Sequence, residues 1–351
     1  MYKIIIFIIL NVISLLSFSQ ELKYYDAFVA LDMEKQQGFP VTDLEYKRLN
    51  SIYSYMDSVI SFSNEINEEK ALNICIAMSN ALESRFGITF ENTALLSEGL
   101  KKNKLDCNYY SILFYTYLKK HSQKPELIIT PGHMFLRWYY NENSYLNYET
   151  TAKIAITDEQ YINEFSISAT AIKNNLYLKP LTVPQLAACG YMEMSTTYTE
   201  TQTQKQRVLL NKTLKLFPNL VMAMGNLAYC AVLEKKTDEA ITILNKAIAL
   251  DTLNYVTYQQ AGRIYQKASR YKEALKYYSK GIARNPKDPQ SYIYRSNCYL
   301  DMKNVEAAMT DFDNGSALLK TDDIFKFLFD YLSLQLLENR IMEEYLKVND
   351  K

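Results

Sequence analysis

The sequence predicts an α+β domain followed by an all-α array of helix pairs. Three observations predict it. The C-terminal half repeats itself every 34 residues. The segment before it carries helical periodicity and then two short alternating apolar runs separated by turn residues. Breakers are scarce, with 9 Gly and 8 Pro in 351 residues, which favours long helices and leaves little for Gly-rich phosphate loops. Apolar residues make up 48% of the chain and charged residues 22%, enough to bury more than one core. Lys plus Arg and Asp plus Glu both number 39, and this neutral balance argues against nucleic acid as the partner, because phosphate binding needs a basic surplus.

The first stretch, Met1 to Gln20, places Lys3 before an apolar run from Ile4 to Leu16 and ends in Ser17-Phe18-Ser19. The run is shorter than the roughly 20 residues that span a bilayer. A signal peptide over residues 1–19 is expected, so the mature chain is exported, periplasmic or secreted from a bacterium, with no membrane span after cleavage. No Cys follows the apolar run, so no lipid anchor is expected there. The five cysteines, Cys75, Cys107, Cys189, Cys230 and Cys298, are odd in number and widely spaced, without a disulfide framework. No C-x-x-C or H-E-x-x-H motif occurs, and the chain has only two His, so no metal or cofactor is expected.

In the C-terminal half, three columns of small residues recur at the 34-residue step: Ala240, Ala274 and Ala308; Ala228, Gly262 and Ser296; Ala247, Gly281 and Gly315. Large residues recur beside them: Leu244, Tyr278 and Phe312, and Met224, Tyr258 and Tyr292. Each period is thus a helix pair, with small residues where backbones cross closely and large ones filling the adjacent gap. Turns fall near Lys236-Thr237-Asp238, Ser269-Arg270 and Lys303-Asn304. The period and the small–large–small pattern resemble the tetratricopeptide repeat family. The resemblance gives three clear units from about 219 to 320 and a degenerate one before them, with Leu210 and Pro218 in register and Gln206 where Ala is expected. The repeat domain is expected over 183–320, with capping helices over 321–351. It implies peptide or protein binding through the repeat groove. Cys230 and Cys298 sit at equivalent positions inside first helices and read as core thiols.

The N-terminal half carries the candidate chemistry. Residues 41–64 and 67–85 read as helices, with Cys75 beside the buried stripe of the second. Leu105-Asp106-Cys107-Asn108 then opens a helix in which Tyr110, Leu113, Phe114 and Tyr117 recur at helical spacing. Cys107 therefore sits at a helix N-terminus, where unpaired N–H groups favour a thiolate. Residues 127–130 form a short β-run, Pro131-Gly132 turns, and HMFLRWYY is a strand. Alternation puts His133, Phe135 and Arg137 on one face and Met134, Leu136 and Trp138 on the other. A hairpin centred near residue 142 puts Glu149 opposite Phe135, on the face of His133. In that register Cys107, His133 and Glu149 form a nucleophile, base and orienter. Asn147 shares the face of Glu149 and is a second candidate orienter. Arg137 has two readings: it binds a substrate carboxylate, or it pairs with a buried acid such as Asp106 or Glu149. His121 follows Lys119-Lys120 at a helix end and reads as a solvated residue favoured by the helix dipole.

The stretches LDCNYYSILFY, PGHMFLRW and LNYETT resemble, in order and spacing, the transglutaminase-like superfamily with its papain-like core, over about residues 65–182. The likeness is to a bacterial branch in which an Asp-Cys opens the helix, a Pro-Gly-His leads an Arg-Trp strand, and an acidic-Thr-Thr strand follows. The domain so implied spans 20–182, with Cys107 as nucleophile, His133 as general base and Glu149 as third member. Leu105 stands where many relatives have Gly, and Glu stands where animal enzymes use Asp, which turns the expectation from protein cross-linking toward thiol acyl chemistry. The expected function is an exported cysteine acyl-transfer enzyme, hydrolysing or transferring amides, with a repeat domain for protein binding. The alternative is a non-catalytic scaffold that uses the repeat groove. A serine hydrolase is excluded by the lack of G-x-S-x-G, since no two Gly stand four apart. Phosphoryl transfer lacks a Gly-rich loop before Lys-Ser or Lys-Thr. Asp and Glu are plentiful, yet no glycosidase pair stands out.

Of the five thiols, Cys107 is expected to alkylate first in the native protein, because it alone sits in a polar segment at a helix start beside a candidate base. Peptide mapping after brief native alkylation checks this, and preferential labelling of Cys75 or Cys189 would contradict it.

Overall fold

The computed structural model describes residues 22–319 and 332–338. The expected signal peptide at 1–19 lies outside them, and of the expected cap at 321–351 only 332–338 lies inside. The described residues are mostly helical and divide into two compact units, Met1–Ala223 and Met224–Lys351.

The N-terminal unit begins with helices α1 (Ala27–Gln36), α2 (Asp43–Val59) and α3 (Glu68–Asn80), which runs on into one wide π turn, Ala81–Arg85. Next come β1 (Thr89–Phe90), α4 (Leu96–Lys102), β2 (Lys104–Leu105) and α5 (Cys107–Lys120), with β1 and β2 paired in parallel. An antiparallel sheet follows, β3 (Lys124–Thr130), β4 (His133–Tyr139), β5 (Tyr145–Glu149) and β6 (Ile154–Ala155), its strands adjacent in chain order. Helices α6 (Asp158–Glu164), α7 (Ala169–Lys173), α8 (Val183–Thr196) and α9 (Thr203–Leu216) complete the unit.

Helix α5 is the centre of this unit. Asp106 starts it: its carboxylate accepts the Tyr109 amide at 2.9 Å, which satisfies one of the orphan donors of the first turn. From Tyr109 to Leu118 every residue is buried, so the helix is enclosed by more than the single stripe its sequence suggests. Phe114 stacks on Tyr148 of β5 with ring centres 6.1 Å apart, while Tyr117 stacks on Tyr53 of α2 at 6.2 Å. The Ala27 amide at the start of α1 donates to Thr116 Oγ1 at 2.9 Å. Trp138 of β4 is fully buried, edge-on to Phe62 at 6.2 Å.

The β3–β4 turn needs a left-handed residue, and Gly132 provides it at φ 77°. Across β4 and β5, Leu136 pairs with Tyr148, Arg137 with Asn147 and Trp138 with Leu146. Continuing that register one step sets Glu149 opposite Phe135, the pairing expected from the hairpin.

Helices α8 and α9 pack on each other, and α8 also packs on α1, burying Leu186, Ala187, Ala188, Cys189, Tyr191 and Met192. Helix α9 starts and ends one 34-residue period before the helix Thr237–Leu250, but a 3-10 turn at Glu200–Gln202 precedes it. The helix pair expected to open the repeat domain at 183 thus packs with the N-terminal unit, and the division falls at 223/224.

The second unit is regular. Its first helices are α10 (Val221–Leu233), α12 (Tyr255–Lys267) and α14 (Pro289–Asp301); its second helices are α11 (Thr237–Leu250), α13 (Tyr271–Arg284) and α15 (Val305–Ser316). Starts of like helices fall 34 residues apart. Each pair is joined by a left-handed residue, Lys235, Ser269 and Lys303, with φ of 62°, 58° and 59°. After each of these an amide returns to the first helix: Lys236 N to Ala231 O at 2.8 Å, Arg270 N to Tyr265 O at 2.8 Å, and Asn304 N to Tyr299 O at 2.9 Å. These are the closing bonds of Schellman caps, here on non-glycine residues. The small columns are buried as expected. Leu332 and Leu336 join Ile293 and Ala308 in one apolar cluster.

Two helical glycines in this unit have different neighbours. A Cβ on Gly262 would lie 2.4 Å from the Tyr278 ring, which is fully buried and tied by its hydroxyl to Gln266 Oε1 at 2.7 Å. A Cβ on Gly225 would meet only the far end of the Gln260 side chain. Gly262→Ala is therefore expected to destabilise by about 1–3 kcal/mol through overpacking. Gly225→Ala, where Gln260 can swing away, should be neutral or stabilising by up to about 1 kcal/mol through helix propensity. Urea unfolding of the two variants checks the order, and equal effects would rule out the rigid-ring account.

Candidate functional site

Three elements bring the candidate residues together. Cys107 is the first residue of α5 and half-buried, His133 begins β4, and Glu149 ends β5. Glu149 Oε2 lies 2.5 Å from His133 Nε2. Cys107 lies near enough to the imidazole for its charge to act on it. The Cys107 sulfur also stands 3.9 Å from Asn108 Oδ1. Burial works against the imidazolium, but Cys107 and Glu149 together outweigh it and lift the His133 pKa to about 10.

Glu149 is itself held on all sides. Oε2 also accepts the Tyr161 hydroxyl at 3.1 Å, and Oε1 accepts the Thr151 hydroxyl at 2.6 Å and the Thr151 amide at 3.2 Å. Burial would raise this carboxyl, yet the bonds from His133 and Thr151 keep it below the ordinary glutamate value. Rings fix the imidazole plane: Phe165 stacks on His133 at 5.9 Å with the planes 6° apart, and Tyr161 stacks on Phe135 at 4.1 Å.

The other candidates have separate roles. Asn147 does not orient His133. Its Oδ1 accepts Arg137 Nε at 2.7 Å and its Nδ2 donates to Asp158 at 2.7 Å. Arg137 pairs with neither Asp106 nor Glu149. Its acid is Asp158, whose Oδ1 accepts from Nη2, and the guanidinium lies over the Tyr145 ring at 4.3 Å. The reason is the pleat: Arg137 stands directly opposite Asn147, four residues along β4 from His133, next to the start of α6 rather than α5. Arg137 is buried and engaged, which removes it as a substrate carboxylate binder. Asp106 serves as the helix cap. Burial lifts its carboxyl to about 7 against the pull of the Tyr109 and Asn108 amides. His121 caps the far end of α5, where its Nε2 meets Asp57 at 2.8 Å and its ring stacks on Phe62 at 4.9 Å.

Sequence reasoning missed Thr151, Tyr161, Phe165, Asp158 and Glu193. Part of the signal was present. Thr157 and Gln160 form a capping box, which starts α6 and thereby aims Tyr161 at Glu149. Glu193 of α8 accepts Asn108 Nδ2 at 2.8 Å, with its carboxyl raised to about 8 by burial and by the charge of Asp106. No local pattern links residues that far apart. The remaining thiols are buried, and burial pushes Cys75 well up and Cys189 and Cys298 to about 12. Among the described residues no group of three or more His, Cys, Asp or Glu side chains could hold a metal ion, and no helix is long and apolar enough to cross a membrane.

The tetratricopeptide repeat family matches this chain over residues 223–252 and again over 260–317. Among solved structures, the chain is similar to the Yersinia enterocolitica type III secretion chaperone SycD in complex with a peptide of the translocator YopD, at 20% identity and a TM-score of 0.32, over 35% of this chain and 94% of that one. It is similar to PcrH in complex with the chaperone binding region of PopD at 19% identity and a TM-score of 0.32, over 36% of this chain and 95% of that one. MamA matches at 19% identity and a TM-score of 0.32, over 46% of this chain and 87% of that one. Residues 223–317 of this chain carry tetratricopeptide repeats, arranged as a helical solenoid.

Proposed function

We propose that this chain is a protein-interaction scaffold whose repeat array binds a peptide or protein partner. The observation that supports it is the family match falling on helix pairs that keep a 34-residue step. Stacked pairs of this kind present a continuous first-helix face, which is a binding surface rather than a reaction centre. Photo-crosslinkers placed on that face should trap a partner in the full chain. Crosslinkers on the second-helix face should not, and equal trapping by both faces would count against a groove. Export of the chain, expected from residues 1–19, belongs to the same proposal.

A second reading is favoured by one specific geometry, the Glu149–His133 bond, with Cys107 near the same imidazole. In that reading the N-terminal unit is a transglutaminase-like cysteine acyl-transfer enzyme with a papain-like arrangement. The Cys107 sulfur attacks an amide carbon and passes its proton to His133. His133 then protonates the departing amine, leaving a thioester on Cys107. Water or a second amine attacks the thioester, gives its proton to His133, and the thiol returns. Glu149 holds the imidazole in place and stabilises its charged form throughout.

Glu149→Gln separates the two readings. The amide removes the charge that supports the imidazolium, so His133 should titrate below its native value of about 10. If the thiol works with that base, Cys107 alkylation should be slower in the folded variant at a fixed pH. The stability difference from wild type follows the same sign. The His133 contribution is complete below its unfolded value of about 6.5 and fades as pH rises toward about 10, and the Glu149 contribution, present above the ordinary glutamate value, is lost as pH falls through its lowered one. An alkylation profile unmoved by the substitution leaves the scaffold reading alone.

A further inference from the structure

We propose that Glu193 is a positioning residue for the Cys107 thiol, holding the Asn108 amide so that Oδ1 and not Nδ2 faces the sulfur. It rests on the second reading above, in which Cys107 is a nucleophile, and assigns the group that governs that nucleophile at rest.

Asn108 is the second residue of α5, next to Cys107, and both are half-buried. Glu193 lies on α8, 85 residues further along the chain and within the same N-terminal unit. Asn108 Nδ2 donates to Glu193 Oε1 at 2.8 Å. A side-chain amide has one end that accepts and one that donates. A carboxyl keeps an accepting oxygen whether or not the other oxygen carries a proton, so it selects the donating end. That leaves Asn108 Oδ1 for the sulfur, and the Cys107 thiol donates to it at 3.9 Å. Released from Glu193, the amide could turn end for end and offer N–H donors to the sulfur instead. An acceptor beside a thiol favours its neutral form, and a donor favours the thiolate, which is the nucleophile.

Glu193 can serve as a fixed post because α8 is fixed. Helix α8 packs closely on α1 at Gly190, where a Cβ would come within 3.1 Å of the Tyr25 hydroxyl and 3.5 Å of Met33 Cε. Met192 and Met194, on either side of Glu193, are buried. The carboxyl has no cation for a partner. Burial and the charge of Asp106 lift it to about 8, and the bond from Asn108 is the interaction that works the other way. The other titratable groups close enough to feel its charge are Tyr25, Tyr109 and Cys189, none of them basic. A carboxyl in such surroundings costs stability. Its hydrogen bond is spent on the residue that follows the candidate nucleophile. The thiol proton held at Asn108 has to turn to His133 before the attack on an amide, so this contact keeps the sulfur quiet at rest.

The test measures the rate of Cys107 alkylation by iodoacetamide in the folded full chain at one fixed pH, with the labelled residue mapped by mass spectrometry. Two substitutions separate position from charge. Glu193→Asp keeps the charge and draws the acceptor back by one methylene, and Glu193→Gln keeps an acceptor in place and drops the charge. Glu193→Asp should raise the rate about threefold or more, while Glu193→Gln should stay within about twofold of wild type. Asn108→Leu, similar in shape and without the amide, should raise the rate at least as much as Glu193→Asp. Combining Glu193→Asp with Asn108→Leu should add nothing further, because the two residues act in series. The reverse pattern, with Gln changing the rate and Asp leaving it alone, would assign the effect to charge and overturn the positioning role. Additive effects in the double variant would overturn it too. Should Glu193→Asp fold poorly, Asn108→Leu decides, and an unchanged rate in that variant ends the inference. If Glu149→Gln slows alkylation while the Glu193 and Asn108 variants match wild type, the inference falls and the nucleophile reading stands. If Cys107 stays unlabelled in every folded form, both fall.

Discussion

A helix enclosed on every side has no freedom to slide or roll, and α5 is such a helix. Ten consecutive residues, Tyr109 to Leu118, are buried between the sheet and the preceding helices. Each is fully packed, so moving the helix by a residue would open cavities at several places together, at several kcal/mol for each large side chain. The Asp106 cap then determines where the helix begins, and Cys107 follows by one residue. The sheet that covers α5 is under a matching constraint. Slipping β5 against β4 by one residue would turn Tyr148 away from Phe114 and put Glu149 on the face that packs against the helix. The meeting of Cys107, His133 and Glu149 is thus a consequence of packing far from the three polar groups themselves.

The carboxyl groups around α5 have unlike surroundings. Glu149 is pulled down by His133 and by the hydrogen bonds from Thr151, while Asp106 and Glu193 are pushed up by burial. One thiol–imidazole pair is therefore flanked by a carboxylate that stays charged and by two acids whose protons leave near neutral pH. Environments that separate the behaviour of chemically similar groups are a common property of reactive centres, and also of structural ion networks.

Much of this was legible in the residues because it is local or periodic. The 34-residue columns, the Cys107 helix start and the β4–β5 register all follow from repeat length, capping chemistry and the two-residue alternation of strands. The partner of Arg137 was not legible, because Asp158 arrives from a helix whose approach to the sheet depends on the β6 turn. The placement of α8 and α9 was misleading for a different reason. Helix α9 keeps the register of the repeats, but the apolar face of α8 finds its cover on α1. Register is a property of sequence spacing, whereas membership of a compact unit depends on where apolar surface is covered.

The single tryptophan of the chain, Trp138, has a use that follows from its position. It is buried in the central sheet of the N-terminal unit, whereas the three helix pairs of the second unit carry tyrosine alone as an intrinsic fluorophore above the weak emission of phenylalanine. Excitation at the red edge of protein absorption selects the indole and ignores the repeats, while circular dichroism weighs every helix. The two signals divide the molecule along its own unit boundary, so a difference between their unfolding midpoints would measure directly how independently the two cores melt.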